Sequence, residues 1–285
     1  GGGVIIWREG EFVDAGGALS ADDRGYLIGE AIFETLLVDQ GAPAFLEAHL
    51  DRLRRGGAAF GMTRAIDAAA LRHAIRETAA RNNFPGRTVC RITLSRSGGP
   101  RGLAPSPLHK EQLTITLSPA PPPPRAFRLM VSARRRFSKA STNGFKCAGA
   151  YAENILARGD AARAGAEEAV MLNEHGRVAC ASAANIFVEI DKRLFTPPLD
   201  EGAMPGVTRA ILIEEARRIG AEVEEARMEL SMLREGAILL TNSVAGPVRS
   251  ALDDAVIAGE GGLADRLVEA YADRLAAEFE AAARR

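Results

Sequence analysis

Apolar positions recur at helical spacing over residues 67–82 (DAAALRHAIRETAARN), where Leu71, Ile75 and the pair Thr78–Ala79 share one side, so the segment predicts an amphipathic helix. Residues 87–95 and 111–117 alternate apolar and polar positions instead, most cleanly in LTITL, and predict strands. Further short strands are predicted at 127–133, 169–172, 178–181 and 185–190. Helices are predicted over 151–164 and 206–219, closed by Gly165 and Gly220, and a long amphipathic helix over 263–285. The sharpest break is SPAPPPPR, Ser118 to Arg125, whose four consecutive prolines force an extended, semi-rigid spacer. A domain join is placed there, giving a small mixed α+β domain over 1–120 and a larger domain over 121–285. Pro197–Pro198 and Gly202–Pro205 punctuate a loop that delivers the chain into the helix beginning near Val207.

Length agrees with two domains, since 285 residues is nearly twice the ~150 at which a single core commonly stops growing. A composition with 47% hydrophobic and 26% charged residues excludes a disordered, collagenous or coiled-coil chain. With 36 basic against 37 acidic residues, the formal net charge of −1 removes the long-range attraction on which a nucleic-acid or anionic-membrane binder relies. Small molecules and proteins are the expected partners. Cys90, Cys147 and Cys180 form no CxxC pair, which fits a reducing compartment and argues against a metal cluster. The start GGGVIIWREG lacks a secretory pattern, and no run approaches the ~20 apolar residues of a membrane span. A cytoplasmic location is expected. Lysine is scarce: Lys110, Lys139, Lys146 and Lys192 are the whole set, so lysine chemistry has four candidates.

Nucleotide and hydrolase signatures are missing: there is no GxxxxGK[ST] and no GxSxG, and the glycine run Gly259–Gly262 follows no strand. His49, His73, His109 and His175 are scattered without metal spacing, and no metal is expected. MPGVTR, Met204 to Arg209, carries more. A Pro-Gly turn followed by Val-Thr at a helix start leaves unpaired N–H groups and a hydroxyl pointing one way, as a phosphate dianion requires; an ordinary N-cap by Thr208 is the other reading. A second strand end with exposed hydroxyls, Leu239-Leu240-Thr241-Asn242-Ser243, precedes another Gly-Pro turn, and the two together suggest a phosphate clamp. Lys146 lies in GFKCAGAYAENILA just before a helix, among small residues that would let a planar ring approach. Its amine could form a Schiff base only when neutral, which calls for an apolar or cation-flanked pocket. A surface lysine at a helix start is the alternative.

The series FKxxGxY, GRVACASAANIF and LFTPPLDEGAMPGVTR, with DRGYLIGEAIFETLLV and LEAHLDRLRR upstream, resembles the class IV (fold type IV) pyridoxal-phosphate enzymes in the family's own order. Branched-chain and D-amino-acid aminotransferases and aminodeoxychorismate lyase belong to that group. The resemblance implies a two-domain α+β / α/β fold, with a small α+β N-terminal domain and a larger pseudo-barrel domain, a pyridoxal 5′-phosphate cofactor, and a homodimer whose partner lends a loop to the pocket. It implies that Lys146 is the lysine bonded to the cofactor, that Tyr151 hydrogen-bonds the cofactor's phenolic oxygen, and that Arg52 pairs with the phosphate, where a guanidinium fork suits the anion. Val207 and Thr208 would supply the helix-start contacts and Thr241 the second hydroxyl, with Asn242 adjacent.

One position departs. Five residues before Asn185 the family carries a glutamate that keeps the pyridine nitrogen protonated, and here Cys180 stands in its place. A neutral thiol offers only a weak hydrogen bond, so the departure bears on the reaction type more than on the cofactor, unless a residue such as Glu189 compensates. On the substrate side, Arg96 and Arg101 lie in the glycine-rich stretch SRSGGPRGL, read as a mobile loop that could clamp a carboxylate. Phe33 takes the place of an aromatic pocket wall; FETLLV and that loop look more like the lyase, whereas GPVRS (Gly246–Ser250) looks like the aminotransferases' substrate-side turn. The leading expectation is an aminotransferase acting on a small D- or branched-chain amino acid and a 2-oxo acid. Aminodeoxychorismate lyase, releasing pyruvate to leave 4-aminobenzoate, is the alternative, and a cofactor-binding protein without catalysis is the third.

Overall fold

The computed structural model describes residues 3–255, 257 and 261–285; Gly259 and Glu260 of the glycine run lie outside the described residues. The chain forms two compact units that part between Pro121 and Pro122. The first holds the chain up to Pro121 together with Gly144–Ala150 and Ala277–Arg285; the second holds Pro122–Asn143 and Tyr151–Ala276.

The first unit contains β1 (Ile5–Arg8), β2 (Glu11–Asp14), α1 (Arg24–Ile28), β3 (Ala31–Asp39), β4 (Ala42–Pro43), α2 (Leu46–Ala59), α3 (Ala68–Asn82), β5 (Thr88–Ser97) and β6 (Lys110–Pro119). Its strands pair antiparallel in the order β2-β1-β6-β5-β3-β4. Register puts Ile92 opposite Ile115 and Cys90 opposite both Leu36 and Leu117, so one face is apolar along these positions and is broken only where Glu34 stands opposite Ile92. On that face sit Leu46, Leu50 and Leu53 of α2 and Leu71, Ala74 and Ile75 of α3. The predicted helix at 67–82 is present as α3, opened by Asp67, whose carboxylate accepts the Ala70 N–H at 2.7 Å. The end of the chain closes this unit: Glu278 accepts the Phe45 N–H at 3.2 Å, and the Arg87 guanidinium lies 4.8 Å over the Phe279 ring.

The second unit contains β7 (Phe127–Arg136), α4 (Ala152–Arg163), β8 (Glu168–Asn173), β9 (Val178–Ala181), β10 (Asn185–Ile190), β11 (Arg193–Thr196), α5 (Val207–Arg218), β12 (Glu222–Glu225), α6 (Met232–Glu235), β13 (Ala237–Asn242), β14 (Gly246–Leu252) and most of α7 (Leu263–Ala283). The sheet runs β12-β11-β10-β13-β14-β7-β8-β9, with parallel pairs at β11/β12, β14/β7 and β7/β8. Leu129, Val170, Val178, Ile186, Val188 and Leu240 form one of its cores. A second core is built of small side chains, with Ala157 and Ala161 of α4 packed on Ala169, Ala179 and Cys180, so that helix and sheet approach closely. Among the described residues no helix is long and apolar enough to cross a membrane, and no cluster of His, Cys, Asp and Glu could hold a metal ion.

Candidate active site

In the first unit the geometry centres on Lys146. The Phe33 N–H donates to the Lys146 carbonyl at 3.0 Å and Cys147 bridges to Ile32, so the lysine's backbone is held against the start of β3. Two glycines make the approach possible: Gly149 donates to the Gly29 carbonyl at 3.0 Å, and Gly29 has φ +73°, where a Cβ would stand 2.5 Å from the Gly149 Cα. The Lys146 Nζ lies 5.2 Å from the Phe33 ring centroid, and the Arg91 guanidinium carbon lies 3.8 Å from that centroid. Phe33 and Arg91 are diagonal neighbours on β3 and β5, because Thr35 pairs with Arg91 and Phe33 with Thr93. Arg91 therefore joins the site although nothing in its sequence context marks it. Lys146 is half-buried, whereas Lys110, Lys139 and Lys192 are exposed, which favours the chemical reading over that of a surface lysine.

Glu34 faces the opposite side of β3, toward α2. Its carboxylate accepts Nε and Nη2 of Arg52 at 2.7 Å each and Nδ1 of His49 at 2.7 Å. All three side chains are buried, at 0% exposure for Glu34, 1% for His49 and 2% for Arg52. Burial works against the Glu34 charge, but the hydrogen bonds from Arg52 and His49 outweigh it and hold the carboxyl below its ordinary range. Burial likewise pushes the His49 imidazolium toward its neutral form, against the pull of Glu34.

In the second unit the start of α5 is open. Its N-cap is Gly206, no side chain caps it, and the amides of Val207, Thr208 and Arg209 have no intrahelical acceptor. Thr208 therefore is not the N-cap. It sits in the first turn, 2% exposed, and hydrogen-bonds Tyr271, whose phenol is pushed up by burial. A Cβ on Gly206 would meet the Asn185 Oδ1 at 2.1 Å, while the Asn185 Nδ2 donates to the Met204 carbonyl at 2.9 Å, so Asn185 moulds the turn. Thr241 is opposite Asn185 in the β10/β13 register. Its hydroxyl is not exposed as the sequence suggested: Thr241 is 2% exposed, and its Oγ1 is buried with no hydrogen-bond partner among the described residues. An uncapped helix start and an orphaned buried hydroxyl are the features a phosphate satisfies. Tyr151, half-buried, stands immediately before α4.

The chain as a whole has counterparts among known proteins. The chain matches the class IV amino-transferase family over residues 31–251. The chain belongs to that family. It is 28% identical over 228 residues to a putative branched-chain-amino-acid aminotransferase of Methanocaldococcus jannaschii, covering 79% of each chain. It is 27% identical over 247 residues to the aminodeoxychorismate lyase of Bacillus subtilis, covering 84% of this chain and 83% of that one. A T.th. branched-chain amino acid aminotransferase with pyridoxamine 5′-phosphate superposes with a TM-score of 0.87 at 25% identity, covering 97% of this chain and 95% of that one. The expected fold type IV architecture is thereby borne out.

The class IV amino-transferase departs from the sequence reading at several side chains. Arg96 is not on the 97–109 loop: it lies inside β5, 5% exposed, pairs with Glu30 at 2.7 Å and donates to the Phe60 and Gly61 carbonyls at 3.1 and 2.9 Å. Glu30 also accepts from Arg24, which donates to the carbonyls of Gly102 and Leu103 at 2.7 and 2.8 Å. Arg96 thus anchors the loop, whereas Arg101 is exposed on it. Asn242 organises its own turn, accepting the Val244 and Ala245 N–H groups at 3.0 and 2.8 Å. Glu189 accepts the amides of Leu263 and Ala264 at 3.2 and 2.8 Å and caps α7, so it does not stand in for the missing glutamate. Cys180 is 6% exposed, and burial pushes its thiol up to about 11, against the pull of Arg136 and with a push from Glu168. The thiol is therefore neutral at physiological pH.

Proposed function

We propose that this class IV amino-transferase moves an amino group between a small amino acid, D- or branched-chain, and a 2-oxo acid. Its cofactor is pyridoxal 5′-phosphate, which when bound supplies an electron sink for charge developing at the substrate α-carbon. Lys146 would hold the cofactor, and its Nζ would carry the proton to and from the substrate α-carbon as general acid and base. Toward the phosphate, the Val207 and Thr208 turn and the Thr241 hydroxyl would offer hydrogen bonds and Arg52 would offer its guanidinium, and Tyr151 would serve the phenolic oxygen. Phe33, Arg91 and Arg101 receive the substrate's side chain and carboxylate. The observation that carries this reading is the pairing of Lys146 and Arg91 about one buried aromatic ring, 5.2 and 3.8 Å from its centroid. Cation and apolar surface together suit a small substrate that has a carboxylate and a hydrocarbon side chain.

A spectrophotometric screen of D- and L-amino acids against the purified holoenzyme tests this proposal. D-alanine or L-leucine is expected to convert the yellow cofactor to its amine form. Aminodeoxychorismate lyase is the second reading, favoured by the neutral thiol at Cys180. Release of 4-aminobenzoate from aminodeoxychorismate, with no amine form from any amino acid, would make it the correct one. Bound cofactor with no turnover of either kind would leave a binding protein. Gly206→Ala is expected to weaken phosphate binding, since the new methyl collides with Asn185. The cofactor dissociation constant, followed by absorbance, should rise about tenfold or more while the circular dichroism spectrum is unchanged.

Self-association is part of the proposal. Tyr26, Leu27, Ile28 and Leu103 are 78%, 54%, 46% and 82% exposed, and Arg24 ties their two segments together. Such a patch suits burial against a second copy, and sedimentation should report a dimer. Three thiols without a disulfide among them agree with a cytoplasmic setting.

A further inference from the structure

We propose that Glu34 and His49 are positioning residues that hold the Arg52 guanidinium in the orientation in which it meets the cofactor's phosphate. The inference deepens the reading of Arg52 given above and rests on it. Glu34 occupies a core-facing position of β3, flanked by the fully buried Ile32 and Leu36, where an apolar side chain would continue the row. A carboxylate, an imidazole and a guanidinium buried together are weak contributors to stability, because desolvation cancels most of their attraction and apolar replacements commonly do as well. Their arrangement is better explained by orientation.

Two parallel hydrogen bonds, Nε to Oε1 and Nη2 to Oε2, each 2.7 Å, fix the guanidinium plane as a single contact could not. His49 then fixes the carboxylate, since its Nδ1 at 2.7 Å takes up Oε2 and stops the group from rotating. His49 and Arg52 stand three residues apart on α2, so one helix face carries both and β3 carries their common acceptor. The charges acting on His49 are those of Glu34, Arg52 and Lys146, and burial outweighs the attraction of Glu34. A neutral imidazole donating through Nδ1 is the state that serves the carboxylate. Glu34 itself, a carboxylate, would repel a phosphate, so its place is behind the arginine. There it balances the buried cation before the anion arrives and keeps the fork aimed, so that binding requires no reorganisation.

The test compares Glu34→Gln, His49→Leu, His49→Asn and Arg52→Ala for binding of pyridoxal 5′-phosphate and of pyridoxal, which lacks the phosphate, together with the 31P shift of the holoenzyme. Glu34→Gln and His49→Leu are expected to weaken the phosphorylated ligand about tenfold or more and to move the 31P shift, leaving pyridoxal binding within about twofold. Asparagine at 49, whose amide nitrogen overlays Nδ1, should restore both readouts. Arg52→Ala should show the same phosphate-confined loss. If Arg52→Ala weakens only the phosphorylated ligand while Glu34→Gln and His49→Leu leave it and the 31P shift unchanged, the positioning role is wrong and the reading of Arg52 survives. If Arg52→Ala has no effect on either ligand, the reading of Arg52 fails. Equal losses for both ligands in the Glu34 and His49 variants, unrelieved by asparagine, would make the cluster merely structural.

Discussion

Lys146→Ala is expected to lower turnover by at least about 10²–10⁴-fold, the range attributed to a positioned proton-transfer group, because on the proposed reading the same amine would both bond the cofactor and handle the α-proton. The sharper readout is chemical. Borohydride should fix a yellow cofactor irreversibly onto the native protein and not onto the variant. The other three lysines provide the control, since Lys110, Lys139 and Lys192 are all exposed and can be changed together. A variant lacking Lys146 that still yields a reducible yellow adduct would overturn the assignment.

Cys180→Glu is the second substitution with a large expected effect. Position 180 lies beneath α4 among Ala157, Ala161 and Ala179, and the nearby Arg136 provides a counter-charge for a carboxylate. A glutamate there should keep the ring nitrogen protonated and raise the amino-donor half-reaction about tenfold or more, with a lower melting temperature from the larger buried side chain. Stopped-flow absorbance of the half-reaction checks it. If rate and cofactor spectrum are both unchanged, another group already serves that nitrogen, and Glu168 is the first to consider. Its charge acts on Cys180, although its Oε1 is engaged by Ser182 and by the Ala169 N–H.

Some segments were legible in the sequence because a single face decides them. Helix α3 shows its apolar stripe plainly, and β9 and β10 fall at the predicted residues. Strand β3 was hidden for the opposite reason: it is buried almost throughout, so AIFETLLVD shows no clean alternation. In α2 the inward face includes His49 and Arg52, which spoil the apolar pattern and mark the helix by its residues rather than by its period. Arg96 misled because an arginine beside Gly98–Gly99 reads as loop, and its true partner, Glu30, is 66 residues earlier. Glu34 could have been found, since a lone acid inside an apolar run implies a buried partner, and His49 and Arg52 at helical spacing were candidates. Arg91 had no such signal; only its register against Thr35 brings it to the Phe33 ring.

The contact of Gly29 with Gly149 bears on any effort to evolve new specificity from this scaffold. A methyl added at Gly29 would strike main-chain atoms of Gly149, and one added at Gly149 would press on the Gly29 carbonyl oxygen at 3.2 Å, so no rotamer elsewhere can relieve either. Library diversity is better directed to codons 33, 91 and 101, while those for 29 and 149 are left untouched.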